Sequence, residues 1–216
     1  EKTVEEIDKA AREIGGMKEV RGVLITGGEP LMDQKKLFYL LSQVSALDNV
    51  SEIRLGTRCL LTRPDIFTGE LCEKLASFNR PNFEDPAKSK YLAINTHFNH
   101  PDELAPEVLR ACHKLTSRGI TLRNQTVLLK GINDDPETIK TLFSLVIRNN
   151  MIPYYFNHCM PVDGSDHLRT SVQKGQDIYK HLCTESSCII PEYVYAPSGG
   201  KVHVGPDTTF TYYHFN

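Results

Sequence analysis

No apolar run in this chain approaches the roughly 20 residues needed to span a bilayer. Nor does charge of one sign dominate: 25 lysines and arginines stand against 27 acids, for a formal net charge of -2 and an isoelectric point near 6.5. That balance leaves no electrostatic footprint for nucleic acid or an anionic membrane, and it points to a small partner. The start, "EKTVEEIDKAAREIGG", lacks the basic and apolar blocks of a secretion signal, so the expected location is cytoplasmic. The six cysteines (Cys59, Cys72, Cys112, Cys159, Cys183 and Cys188) lack the clustered spacing of a disulfide scaffold and read as reduced thiols. Cys183 and Cys188 are the one close pair, and with no matching second pair they fit no zinc or iron–sulfur pattern. Internal repeats and low-complexity tracts are absent too, and 40% hydrophobic with 24% charged residues is the make-up of one globular core.

What the chain does have is alternation. Val4, Ile7, Ala11 and Ile14 recur at helical spacing and stop at Gly15 and Gly16. The β-branched run "GVLITGG" follows, expected as a strand buried on both faces. Helices are expected near residues 35–44, 70–78, 101–117, 137–148 and 172–182. Between and after them lie the strand candidates "EIRLGT", "YLAINTHF", "TLRNQTVLL", "IPYYFNHC" and "IPEYVYA". Strands repeating at about 30-residue intervals, each after a helix, predict parallel βαβ units. Polar residues gather where the strands end, and a barrel would bring those ends to one mouth, so a partial (β/α)6 barrel is favoured over an open sheet.

Three segments carry candidate chemistry. In "LITGGEP", Gly27 and Gly28 let a ligand approach the main chain, and the adjoining Glu29 suits an ammonium group rather than a phosphate. In "NTHFNHP", Asn95 and His97 share one face of a strand end and His100 precedes Pro101; hydrogen bonding to a polar ligand and zinc binding are both open. In "KGINDDPET", Asp134 or Asp135 can cap the next helix.

Taken in order, "VLITGGEPL", "RLGTR", "INTHFNHPDEL", "RNQTVLLKGIND", "PYYFNHC" and "YVYAPSGGK" resemble the lysine 2,3-aminomutase family of radical S-adenosylmethionine (SAM) enzymes, from about residue 4 to about residue 205. The resemblance implies a partial barrel, residues 1–205, followed by an extension, residues 206–216, able to form an extra strand. It implies a [4Fe-4S] cluster, SAM and pyridoxal phosphate (PLP) as cofactors. The activity is then that of an isomerase, in which a SAM-derived radical starts the shift of an amino group between adjacent carbons. By the same resemblance Lys201 binds PLP covalently and is the catalytic residue. Gly27, Gly28, Glu29, Arg58, His97 and Gln125 become SAM-site candidates. A reductant such as flavodoxin or ferredoxin is implied, and a homo-oligomer is compatible with it.

Three features depart from that family. The CxxxCxxC loop that binds the cluster is missing from this chain, which places the cluster ligands outside it and leads to the expectation that this stretch alone is inactive. Two aspartates that grip the far ammonium of lysine correspond to Met160 and Tyr195 here, and a buried ammonium without a counter-charge is costly. An amino acid other than lysine is therefore expected, unless Asp163 or Asp166 reaches in. Asn157 replaces a tyrosine beside PLP, making Met160, Tyr195 and Asn157 the substrate-side candidates. Two other readings stay open: a radical SAM enzyme without PLP, and a barrel that only binds a ligand.

Overall fold

The computed structural model describes residues 3–185, 189–196 and 200–209. In chain order the elements are α1 (Val4–Gly16), β1 (Gly22–Ile25), α2 (Gln34–Ser45), β2 (Glu52–Gly56), α3 (Cys59–Thr62), α4 (Gly69–Ala76), β3 (Tyr91–Thr96), α5 (Pro106–Thr116), β4 (Thr121–Leu128), α6 (Pro136–Arg148), β5 (Met151–His158), α7 (Val172–Glu185), β6 (Glu192–Tyr195) and β7 (Val202–His203). They form two compact units. The first comprises Glu1–His97, Ala105–Arg123 and Asn149–Met151; the second comprises Phe98–Leu104, Asn124–Arg148 and Ile152–Asn216.

In the first unit α1 begins with a reciprocal cap: Thr3 Oγ1 accepts from Glu6 N at 3.3 Å while Glu6 Oε2 accepts from Thr3 N at 2.7 Å. Strands β1, β2 and β3 are parallel neighbours, with rows Gly22–Glu52–Tyr91 and Leu24–Arg54–Ala93. Period-two alternation sends Ile53 and Leu55 of β2 into the core and leaves Glu52 and Arg54 on the other face. Fully burying side chains such as Leu41, Leu55, Leu75 and Leu92 contributes about 1.5–3 kcal/mol each. One expectation fails here. Leu24 is 47% exposed, so β1 is not buried on both faces; among the described residues it pairs with β2 alone and is an edge strand.

In the second unit β5 and β6 are parallel, with Tyr155, Phe156 and Asn157 opposite Glu192, Tyr193 and Val194. Leu142, Phe143, Val146, Phe156 and Tyr193 form its core. A seventh strand, beyond the six expected, departs from the parallel pattern: β7 runs antiparallel to β6 and sets Tyr195 opposite Val202. The helix expected over 101–117 is also corrected. Pro101–Glu103 make one 3-10 turn, Leu104 and Ala105 leave helical geometry, and α5 restarts at Pro106, because a residue preceding proline is pushed out of the α region. Of the calls on the tail and the late segment, residues 210–216, Cys188, Ser198 and Gly199 lie outside the described residues.

Candidate functional site

Where β1 ends, the chain turns through Gly27 at φ 101° and Gly28 at φ 59°, both in the left-handed region that side chains other than glycine's rarely enter. A Cβ at either position would meet nothing within 4 Å, so backbone angle alone demands glycine and the space above the turn is open. Thr26, Gly27, Gly28 and Glu29, together with Ile7 and Leu37, line a cavity of about 660 Å³ within the first unit.

Glu29 ties this turn to the end of β2. Its Oε1 accepts from Thr57 Oγ1 at 2.6 Å and Leu31 N at 3.3 Å, and its Oε2 accepts from Arg58 N at 2.8 Å. Thr57 in turn accepts from Cys59 N at 3.0 Å, and its own N–H donates to Asn95 O at 3.0 Å. One carboxylate and one hydroxyl thus join the ends of β1 and β2, and a backbone bond adds the end of β3. In the sequence Thr57 is one of the polar residues gathered at strand ends; its one signal as a hub is the "GT" dipeptide that closes β2, which does not distinguish a relay from a simple cap.

His97 follows β3. Burial, and then the nearby Arg58 cation, lower its pKa below the usual histidine range, so the ring is neutral at neutral pH. Asn95, 4% exposed, has an Oδ1 that meets no donor among the described residues. In this unit the structure therefore brings together Gly27, Gly28, Glu29, Arg58 and His97.

Gln125 belongs to the second unit, on the β4 face opposite Asn124 and Thr126. Those two buried neighbours are structural. Asn124 Oδ1 accepts from Phe98 N at 2.7 Å and its Nδ2 donates to Phe98 O at 3.1 Å, while Thr126 Oγ1 donates to the same carbonyl at 2.9 Å. Asn133 of the "GIND" turn donates to Asn99 O at 2.7 Å and to Val127 O at 2.8 Å. His100 Nδ1 accepts from Asp102 N at 3.2 Å, capping the 3-10 turn. Asp135 caps the start of α6, accepting from Thr138 N at 3.0 Å, whereas Asp134 pairs with Lys174 at 2.5 Å.

Lys201 is exposed, next to Gly200 at φ 116°, and its Nζ stands 4.7 Å over the ring of Tyr155. The β6–β7 pairing fixes the chain immediately after it. Behind β6, His158 Nδ1 and Tyr193 Oη are hydrogen-bonded at 2.8 Å, and the His158 ring meets Tyr195 edge-on at 5.4 Å. Of the substrate-side candidates, Asn157 Nδ2 donates weakly to Thr126 O at 3.5 Å, Tyr195 rests on His158, and Met160 is half exposed. Asp163 and Asp166 are exposed, and Asp166 pairs with Arg169 at 3.4 Å.

The profile of the Radical SAM superfamily matches residues 1–142. Curated relatives include L-lysine 2,3-aminomutase of Fusobacterium nucleatum, 37% identical over 91% of this chain and 44% of the relative. Another is glutamate 2,3-aminomutase of Clostridioides difficile, 38% identical over 85% of this chain and 42% of the relative. The chain spans about half the length of the curated relatives it matches. Among solved structures, Streptococcus suis SuiB bound to S-adenosylmethionine matches with a TM-score of 0.59 at 16% identity, covering 90% of this chain and 44% of SuiB. Native anSMEcpe with bound AdoMet and a Cp18Cys peptide matches with 0.61 at 11% identity, covering 84% and 51%. These likenesses show the fold, a mixed α/β half-barrel of mostly parallel strands, in agreement with the expectation from the sequence.

Proposed function

The chain belongs to the radical SAM superfamily, and from that premise we propose that it supplies the SAM-binding turn and the PLP lysine of a 2,3-aminomutase acting on an α-amino acid other than lysine. The observation that carries the reading is Lys201: an exposed amine beside a left-handed glycine, held over an aromatic ring, in a chain 32 to 41% identical to proteins named as 2,3-aminomutases.

The residues present fit two of the three cofactors. For SAM, the open glycine turn, the carboxylate of Glu29 and the unmatched acceptor of Asn95 suit a ligand that carries an ammonium group and hydroxyls. For PLP, the Lys201 ε-amine offers the nucleophile and Tyr155 the adjacent ring face. When bound, SAM supplies a group that abstracts a hydrogen atom, and PLP a conjugated ring that spreads an unpaired electron. The iron–sulfur cluster does not fit: among the described residues no group of three or more His, Cys, Asp or Glu could hold a metal, and Cys59, Cys72, Cys112 and Cys159 are each free and buried.

The chain's own groups have separate tasks. Glu29 holds the turn in place and presents negative charge to the ligand's ammonium. His97, being neutral, hydrogen-bonds without adding a second cation beside Arg58. Met160 and Tyr195 put no acid on the substrate side, which supports a side chain other than that of lysine. Borohydride reduction of the full-length protein with PLP should fix the cofactor on the peptide that contains Lys201, read by mass spectrometry. Equal labelling of Lys201→Ala would refute the assignment.

A further inference from the structure

The face of the first unit's sheet opposite Ile53 and Leu55 carries Glu52, Arg54 and Arg123. Arg123 Nη1 donates to Glu52 Oε1 at 2.9 Å, and its guanidinium lies 5.5 Å from the Tyr91 ring. That pair is internally neutral. Arg54 is different: its Nε is buried without a hydrogen-bond acceptor, and no ion pair reaches it among the described residues. The side chains beside it in the same row are Leu24 and Ala93, neither of which can accept a hydrogen bond.

Gly22 lies beneath these side chains. A Cβ there would lie 3.4 Å from Glu52 Oε2 and 3.8 Å from Arg54 Nη2, so both side chains overhang its bare Cα. The three ionised groups sum to one positive charge. With Nε closed to solvent, the Nη edge is the part of this guanidinium that an oxyanion can reach, and a partly desolvated cation without a protein partner gains from one there.

We propose that Arg54 anchors an oxyanion site on this sheet face, taking a carboxylate or phosphate group of a small ligand near Gly22, with Arg123 reducing the repulsion of Glu52. The site lies within the first unit and does not depend on Lys201.

The test is thermal unfolding of the full chain at low ionic strength in chloride, with inorganic phosphate and acetate added separately. Wild type should unfold at a higher temperature with one of the anions, increasingly so with concentration. Phosphate acting alone identifies a phosphate ligand, and acetate acting alone a carboxylate. Arg54→Met should keep or raise the midpoint in chloride, since it removes an unpaired cation, and should lose the anion response. Arg54→Lys, which keeps the charge without the fork, should need at least about tenfold more anion. Glu52→Gln should tighten binding by removing the competing carboxylate. Lys201→Ala should respond like wild type, which separates this site from the PLP assignment. No response in wild type to either anion, or an undiminished response in Arg54→Met, overturns the proposal.

Discussion

The Glu29 clamp and the Lys201 hairpin are built by opposite means. In the first, one carboxylate takes three protein hydrogen bonds and a buried hydroxyl passes the restraint on to Cys59. In the second, the Lys201 amine proposed to bind PLP has, among the described residues, an aromatic face beneath it, and the strand is packed from behind: Phe156 to Tyr193 at 5.1 Å, Tyr179 to Tyr193 at 5.7 Å, and His158 bonded to Tyr193. A polar clamp sets donors and acceptors before a ligand arrives. An aromatic backing fixes the strand yet leaves the nucleophile unbound and able to react. The difference suits the proposed tasks, because a group that is to form a covalent bond cannot already be committed to a strong partner.

The largest effect should come from crowding the aromatic backing. Gly175 of α7 lies so close to Tyr193 that a Cβ would overlap the Tyr193 hydroxyl and stand 2.9 Å from Leu128 Cδ2. Gly175→Ala should cost about 1–3 kcal/mol of unfolding free energy, measured by urea denaturation, despite alanine's better helix propensity. Tyr193→Phe in the same background should recover part of it; a silent Gly175→Ala would show that the backing is loose. The clamp should be next. Thr57→Val keeps the shape but strips the hydroxyl from Glu29 and Cys59 N, with an expected loss of about 1–2 kcal/mol and weaker SAM binding, whereas Thr57→Ser should retain most of both. Equal behaviour of Val and Ser would mean that Thr57 acts by packing alone.

Much of the frame was legible in the sequence, since helical spacing and β-branched runs are local signals. The stripe of Val4, Ile7, Ala11 and Ile14 became α1, and the glycines of "TGGE" adopted the backbone angles that only glycine takes readily. What escaped depends on distant partners. Leu24 reads as a core residue, yet its exposure is decided by what covers its face of the sheet. The short β7 has two residues and no periodicity, so only its pairing with β6 defines it. Asn124, in the candidate strand "TLRNQTVLL", is a polar residue that the sequence leaves without a partner, but its side chain is spent on the Phe98 backbone. The break at Leu104 and Ala105 was within reach, because Pro106 announces it.

The smallest predicted effect concerns pH and bears on both regions at once. His97 and His158 each have a pKa lowered in the folded protein, first by burial, then by the Arg58 and Arg169 cations respectively. Unfolded histidine titrates near about 6.5, so as pH falls below that value the unfolded chain takes up protons before the folded one. Stability contributed by the neutral rings is therefore complete above that pH and declines as pH falls toward the folded values. His158→Gln and His97→Gln should each flatten this acid-side slope of the unfolding midpoint. Arg169→Gln should give the slightest change, raising the His158 pKa, read by NMR titration, because it removes a secondary cause and leaves burial in place. A larger shift from Arg169→Gln than from any substitution that opens the Tyr193 packing would invert the comparison, making charge rather than packing the control on the hairpin side.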